Sequence, residues 1–199
     1  MVYTVKVVLA VTGSVASVLT VKMILMLQER GHEVKLVHTE KSEEFLLAIP
    51  WSEKEKIEQI TFESLGDEQE WTGNYIKGQP IPHVELAKWA DVLIIAPISA
   101  NTLAKIAVGI CDNLVTCVVR AWHRENPIII APAMNTHMWT NPFTAEHINK
   151  VEQVYNCRTV YPVEKELACG DEGIGALAPI EEIIKEAESA HRMASIGKS

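Results

Sequence analysis

The segment LACGDEGIGALAP places one thiol, Cys169, among glycines. A thiol can donate a proton, attack or take part in redox chemistry only if a substrate reaches it. Gly170, Gly173 and Gly175 give the segment backbone freedom, and Asp171 and Glu172 favour solvent, so the sequence predicts a mobile lid that carries Cys169. The ordinary alternative is a small buried cysteine beside a turn. A second candidate is His83 in PIPHVELAKWAD, held in the first turn of a helix by the preceding Pro82. A histidine there can serve as an acid or base near neutral pH, or simply cap or solvate a helix end. The third is Asn135 in APAMNTHMWTNP, between Met134 and Met138. Met and Trp at such a point usually fill a core, and an Asn buried among them needs a partner, for which a ligand carboxylate is suited.

Two further loops could hold an anion or a ring edge. Thr12-Gly13-Ser14 opens a helix, where free amides with Ser14 as a cap form an anion site; one glycine is a weaker signal than GxGxxG and fits an ordinary strand-to-helix turn equally well. In APISANTLAKIAVGICDNL, Ser99, Asn101 and Thr102 cluster before a helix, able to cap it or to bond a phosphate.

These loops all follow short apolar runs. VKVVLAV (5–11), EVKLVHT (33–39), DVLIIAP (91–97), PIIIAPA (127–133) and CRTVYPV (157–163) are continuous Val/Ile/Leu-rich stretches of the kind buried on both faces of a parallel sheet. Helical patterns lie between them, at about 15–30, 42–49, 83–90, 101–109, 112–122, 143–155 and 180–193. The alternation predicts an α/β fold, a single-domain doubly wound, Rossmann-like or flavodoxin-like parallel sheet with helices on both faces and ligands at the carboxyl ends of its strands. Residues 50–82 read as an irregular insertion on one edge, with Trp51 and Trp71 as satellite core or interface. The domain is expected to span 1–193, with 194–199 a flexible tail.

Composition narrows the function classes. The 199 residues carry a formal charge of −8 and show no basic stripe, which argues against nucleic acid. Cys111, Cys117, Cys157 and Cys169 form no CxxC pair and no metal-ligand spacing, so neither zinc nor a disulfide framework is expected, and a reducing, cytoplasmic compartment is. No apolar run approaches the roughly 20 residues that span a bilayer.

Taken in order, SANTLAKIAVGICDNL, PAMNTHMW and ACGDEGIGALA closely resemble the homo-oligomeric flavin-containing cysteine decarboxylases, over most of the chain. The resemblance implies FMN bound at a subunit interface, in a homotrimer. It maps flavin contacts onto Gly13, Ser14 and Val15, onto Thr39 and Ser42, onto Ser99, Ala100, Asn101 and Thr102, and onto Ala133. It makes His83 and Cys169 the catalytic residues, assigns the substrate carboxylate to Asn135, and adds substrate contacts at Ala168, Gly170 and Asp171. The branch most similar to this chain acts on 4'-phosphopantothenoylcysteine in coenzyme A biosynthesis. There an alkyl thiol is oxidised by the flavin to a thioaldehyde, whose C=S group accepts the electron pair as CO2 leaves. The reduced flavin then returns its two electrons to the enethiol, giving 4'-phosphopantetheine, with Cys169 implied as the proton source.

Two departures stand out. The first helix reads GSVASVLT where relatives usually continue GSVAA and a Lys, and Lys88 replaces an Arg of some relatives, keeping charge but not a bidentate fork. Three other readings compete. Peptidyl-cysteine decarboxylases of lantibiotic synthesis stop at the enethiol, and the Cys of ACGD argues against them. Flavin prenyltransferases of related fold lack this His, Asn and Cys combination. Phosphatase-inhibiting fungal relatives carry long acidic extensions, which these 199 residues do not include.

Overall fold

The computed structural model describes residues 4–49, 63–71, 73, 76–166 and 172–197. Six parallel strands form one sheet: β1 (Lys6–Val11), β2 (Glu33–His38), β3 (Glu63–Leu65), β4 (Val92–Ile98), β5 (Ile128–Pro132) and β6 (Cys157–Thr159), in the order β3-β2-β1-β4-β5-β6. Helices α1 (Thr20–Glu29), α2 (Glu40–Leu47), α3 (Asp67–Glu70), α4 (Pro82–Trp89), α5 (Ala100–Val108), α6 (Leu114–Ala121), α7 (Thr136–Trp139), α8 (Pro142–Val154) and α9 (Ile180–Ile196) complete the α/β architecture, and β7 (Val163–Glu166) pairs antiparallel with β8 (Glu172–Ala176) as a separate ribbon.

The apolar runs behave as parallel strands should. In β1 every residue from Val7 to Val11 is buried, and alternate side chains go to opposite faces. Val7, Leu9 and Val11 join Ile94 and Ile129 in a core with Met23, Ile24 and Leu27 of α1 and Ile183, Ile184 and Ala187 of α9. Val8 and Ala10 join Leu93, Ile95, Ile128 and Ile130 under Leu86, Leu103, Leu114, Val118 and Ile148, supplied by α4, α5, α6 and α8. Register is fixed on both sides of β1, with Lys6 opposite Glu33 and Val7 opposite Val92. The sheet order therefore reverses between β1 and β4, and a crevice opens at the carboxyl ends of those two strands.

The structure differs from the sequence reading in several places. The first helix opens as a 3-10 turn over Val15–Leu19 before α1 begins at Thr20, and the Ser14 side chain does not cap it. The run at 157–163 is two strands, because the short β6 ends at Thr159 and Val163 already belongs to the ribbon. The irregular region supplies an edge strand, β3, paired with β2 from Lys35↔Glu63 to Val37↔Leu65. Trp71 is exposed rather than core, and Trp51 lies outside the described residues. The last helix continues past 193 to Ile196. His32 is buried with Nε2 3.0 Å from Glu188 of α9, tying the end of α1 to that helix.

The glycines near Cys169 are also placed differently. Gly173 and Gly175 are strand residues of β8 packed on the start of α7, not hinges of a lid. A Cβ on Gly173 would lie 2.3 Å from Thr136 Oγ1, and one on Gly175 would lie 2.1 Å from the Met134 carbonyl oxygen. Gly175 also has φ +143°, and its carbonyl accepts the Met134 N–H at 3.0 Å. Close backbone approach is what these positions demand. Ala168, Cys169, Gly170 and Asp171 lie outside the described residues.

Two outcomes test this packing. Gly175→Ala is expected to cost about 3 kcal/mol of stability, from backbone strain plus overlap, read as a shift in denaturant midpoint. Burial, with Glu70, Cys111, Asp67 and Asp112 adding to it, pushes the Cys117 thiol up to about 11, and burial raises the Cys157 thiol as well. At about pH 8 only roughly one Cys117 in a thousand is thiolate. Iodoacetamide in the native state therefore modifies exposed Cys111 well ahead of Cys117 and Cys157, as peptide mapping would show.

Candidate functional site

Four loops meet at the carboxyl edge of the sheet, and hydrogen bonds sew each to the next. From β2, the Thr39 N–H donates to the Val11 carbonyl at 3.2 Å, and Ser42 Oγ donates to the Thr39 carbonyl at 2.6 Å. From β1, Thr12 is fully buried. Its N–H and its hydroxyl both donate to the Pro97 carbonyl, at 3.2 and 3.0 Å, and its Oγ1 accepts the Ser99 N–H at 2.8 Å. From β4, the Ile98 carbonyl accepts the Ala133 N–H at 3.3 Å. Ser14 Oγ closes the circuit by donating to the Ala133 carbonyl at 3.1 Å.

The side chains proposed from sequence fall on this circuit in different states. Ser99 caps α5, accepting the Thr102 N–H at 3.2 Å, and Thr102 is buried beneath it. Asn101 and Val15 are exposed, and Ala100 is half-buried at the helix start. Thr39 is buried, yet its Oγ1 has no hydrogen-bond partner among the described residues. An orphaned buried hydroxyl is costly in a finished core and expected where a ligand completes the site. Together with the Gly13 and Ser14 amides, which meet no acceptor among the described residues, it fits a phosphorylated, ring-bearing cofactor lying across these loops.

Asn135 is not buried among the methionines. It is exposed and caps α7, its Oδ1 accepting the Met138 N–H at 2.9 Å, while Met138 is exposed too. Because the carbonyl end of the amide is engaged by the cap, the NH2 end is left outward with two donors. Those donors suit a carboxylate. Capping, rather than burial, orients Asn135.

His83 occupies the first turn of α4, as Pro82 at the first helical position predicts. A helix leading back into a parallel strand starts at the carboxyl edge, which puts His83 on the same side of the sheet as the loops. Its Nδ1 bonds Glu70 Oε1 and its backbone N–H donates to Glu70 Oε2 at 3.2 Å. Glu70 gave no signal in sequence: it stands 13 residues away in the region that reads as irregular. The polar atoms of Glu70, His83 and Cys117 lie within 4.8 Å of one another, a donor set of the zinc type, but Glu70 already places both oxygens on His83. Lys88, further along α4, makes an exposed pair with Glu85 at 3.1 Å and contributes little to stability.

Known proteins resemble this chain in sequence and in fold. A phosphopantothenoylcysteine decarboxylase of Arabidopsis thaliana is 45% identical over 175 residues, spanning 87% of this chain and 78% of its own. The phosphopantothenoylcysteine decarboxylase of Mus musculus is 37% identical over 185 residues, 92% of this chain and 86% of its own. Among solved structures, a cysteine-to-serine variant of PPC decarboxylase complexed with pantothenoylaminoethenethiol superposes with TM-score 0.83 and 41% identity, over 94% of this chain and 97% of that one. The FMN binding protein AtHal3 superposes with TM-score 0.79 and 41% identity, over 94% and 96%. With residues 2–191 matching the family described as Flavoprotein, the chain belongs to the Flavoprotein family.

Proposed function

We infer that this chain is a phosphopantothenoylcysteine decarboxylase, a carboxy-lyase that uses FMN to convert 4'-phosphopantothenoylcysteine to 4'-phosphopantetheine in coenzyme A biosynthesis. The observation that carries the reading is Asn135: its Oδ1 is spent on the α7 cap, so its two N–H donors face outward at the loop edge, as a substrate carboxylate requires.

The loops of Gly13 to Val15, Thr39, Ser42, Ser99 to Thr102 and Ala133 would hold FMN, which would supply the two-electron chemistry that side chains lack. The polypeptide supplies orientation and protons. Asn135 fixes the carboxylate by two charge-assisted hydrogen bonds, which orients the C–C bond to be broken. His83 takes or returns a proton at the cysteine moiety of the substrate. Cys169 is the proton donor of the closing reduction, and Ala168, Gly170 and Asp171 are assigned to substrate binding. The thiol of Cys117, raised to about 11, stays protonated and adds no charge beside His83.

The active assembly is a homotrimer with sites at its subunit interfaces. Exposed Val15, at the flavin loop itself, and exposed Val108 and Ile110, at the end of α5, support burial against another copy. The proposed setting is reducing and cytoplasmic, in keeping with four cysteines that form no CxxC pair in sequence. No helix among the described residues is long and apolar enough to cross a membrane.

The test is a mass spectrum of the product formed from 4'-phosphopantothenoylcysteine by the FMN-loaded protein. Loss of CO2 alone is expected; loss of CO2 with two hydrogens would make this an enethiol-forming enzyme, and an unchanged substrate would refute the reading. Asn135→Asp sets a carboxylate against the substrate's own and is expected to lower the rate at least about a hundredfold with FMN retained. Cys169→Ser is expected to accumulate the enethiol, and full product at the normal rate would remove Cys169 from the mechanism.

A further inference from the structure

Glu70 belongs to a short element that is anchored at both ends. Gln69 Oε1 accepts the Gly66 N–H at 2.6 Å, closing the first turn of α3 on itself. Asp67 Oδ1 accepts the N–H of Leu114, the first residue of α6, at 2.7 Å. The core that α6 shares with α4 then fixes where α3 stands relative to His83. From that position one carboxylate makes two bonds to one residue: Oε2 to the His83 backbone N–H and Oε1 to its Nδ1. The Glu70 side chain is only 5% exposed, against 25% for His83. A carboxylate so deeply buried costs desolvation free energy unless its oxygens are bonded, and here both are given to the same histidine.

The chemistry of that contact is directional. An ionised carboxylate only accepts hydrogen bonds, so Nδ1 must carry the hydrogen and the lone pair of the neutral ring resides on Nε2. The second bond, to the backbone of the same residue, fixes the carboxylate relative to the helix start, so the ring cannot turn over without losing its partner. Asp67 and Gln69 hold the short helix and do not touch the ring.

We propose that Glu70 is a positioning residue for His83, locking its ring orientation and Nδ1–H tautomer so that Nε2 is the nitrogen presented to substrate. The proposal rests on the reading of His83 as the proton-transfer group and adds to it the residue that prepares His83 for the task. It also gives residues 63–71, which look like a surface insertion in sequence, a part in the site.

The experiment uses the full chain loaded with FMN, as wild type, Glu70→Gln, Glu70→Asp and Glu70→Ala. Nitrogen NMR of the His83 ring, assigned with His83→Asn, reports the tautomer without any substrate. Wild type is expected to show a single Nδ1–H tautomer, and the Gln and Ala variants a mixture. General acid–base groups contribute roughly a hundredfold or more, so losing the correct presentation is expected to lower kcat at least about tenfold with KM nearly unchanged, and Asp to recover part of the loss. An unchanged tautomer together with unchanged kcat in Glu70→Gln overturns the proposal. A fall in kcat matched by loss of FMN or of melting temperature also overturns it, assigning Glu70 to the fold alone. If wild type forms no product from 4'-phosphopantothenoylcysteine, the functional reading fails, while the tautomer comparison still decides whether Glu70 sets the ring.

Discussion

Thr12 is the joint on which the site depends. It lies at the point where the strand order reverses, between β1 and β4, and there the two strands must stop pairing and diverge into separate loops. A buried hydroxyl that donates to the Pro97 carbonyl and accepts the Ser99 N–H takes over from the ladder at that point. The Thr12 carbonyl in turn accepts from Ser17 Oγ at 2.8 Å, which starts the 3-10 turn. One side chain thus sets the spacing of the two loops that face each other across the crevice. The Thr39, Ala133 and Ser14 bonds extend the same spacing outward along the edge.

A rigid edge of this kind is useful because the site is unfinished without its ligands. Among the described residues the buried Thr39 hydroxyl meets no partner and the exposed Asn135 amide spends only its oxygen. In a flexible edge such groups would turn to satisfy themselves, whereas here the surrounding bonds hold them ready. The ribbon contributes on the other side, since β8 can lie on the Met134–Asn135 turn only because Gly173 and Gly175 present no side chain there. Tight packing, rather than looseness, is what holds β8 against that turn.

Much of this was legible in sequence because the physics is local. Runs such as VLIIAP are apolar at every position, which only a strand covered on both faces tolerates, and their spacing by helical patterns dictated a parallel sheet. Ser99 and Asn135 stood out because polar residues at the end of such runs open the next helix, and both side chains do cap one. What escaped was set by partners distant in sequence. β3 is three residues long and earns its place by pairing with β2, and Thr12 matters through bonds to residues 85 and 87 positions away. Glycine content suggested backbone freedom at Gly173 and Gly175, because composition does not report the carbonyl 2.1 Å from a would-be Cβ on Gly175. Glu70 was hidden in a charged, irregular stretch, and only the anchoring of α3 on α6 shows that it reaches His83.

The most direct measurement of this account is the FMN affinity of Thr12→Val against wild type, by fluorescence titration of the apoprotein, with circular dichroism to confirm the fold. Valine keeps the shape but removes the acceptor of a buried N–H, a loss of roughly 1–3 kcal/mol. The account predicts that FMN binding weakens about tenfold or more while the sheet and helices remain. Wild-type affinity in a folded Thr12→Val protein would contradict it, because the loops would then hold their spacing without the joint.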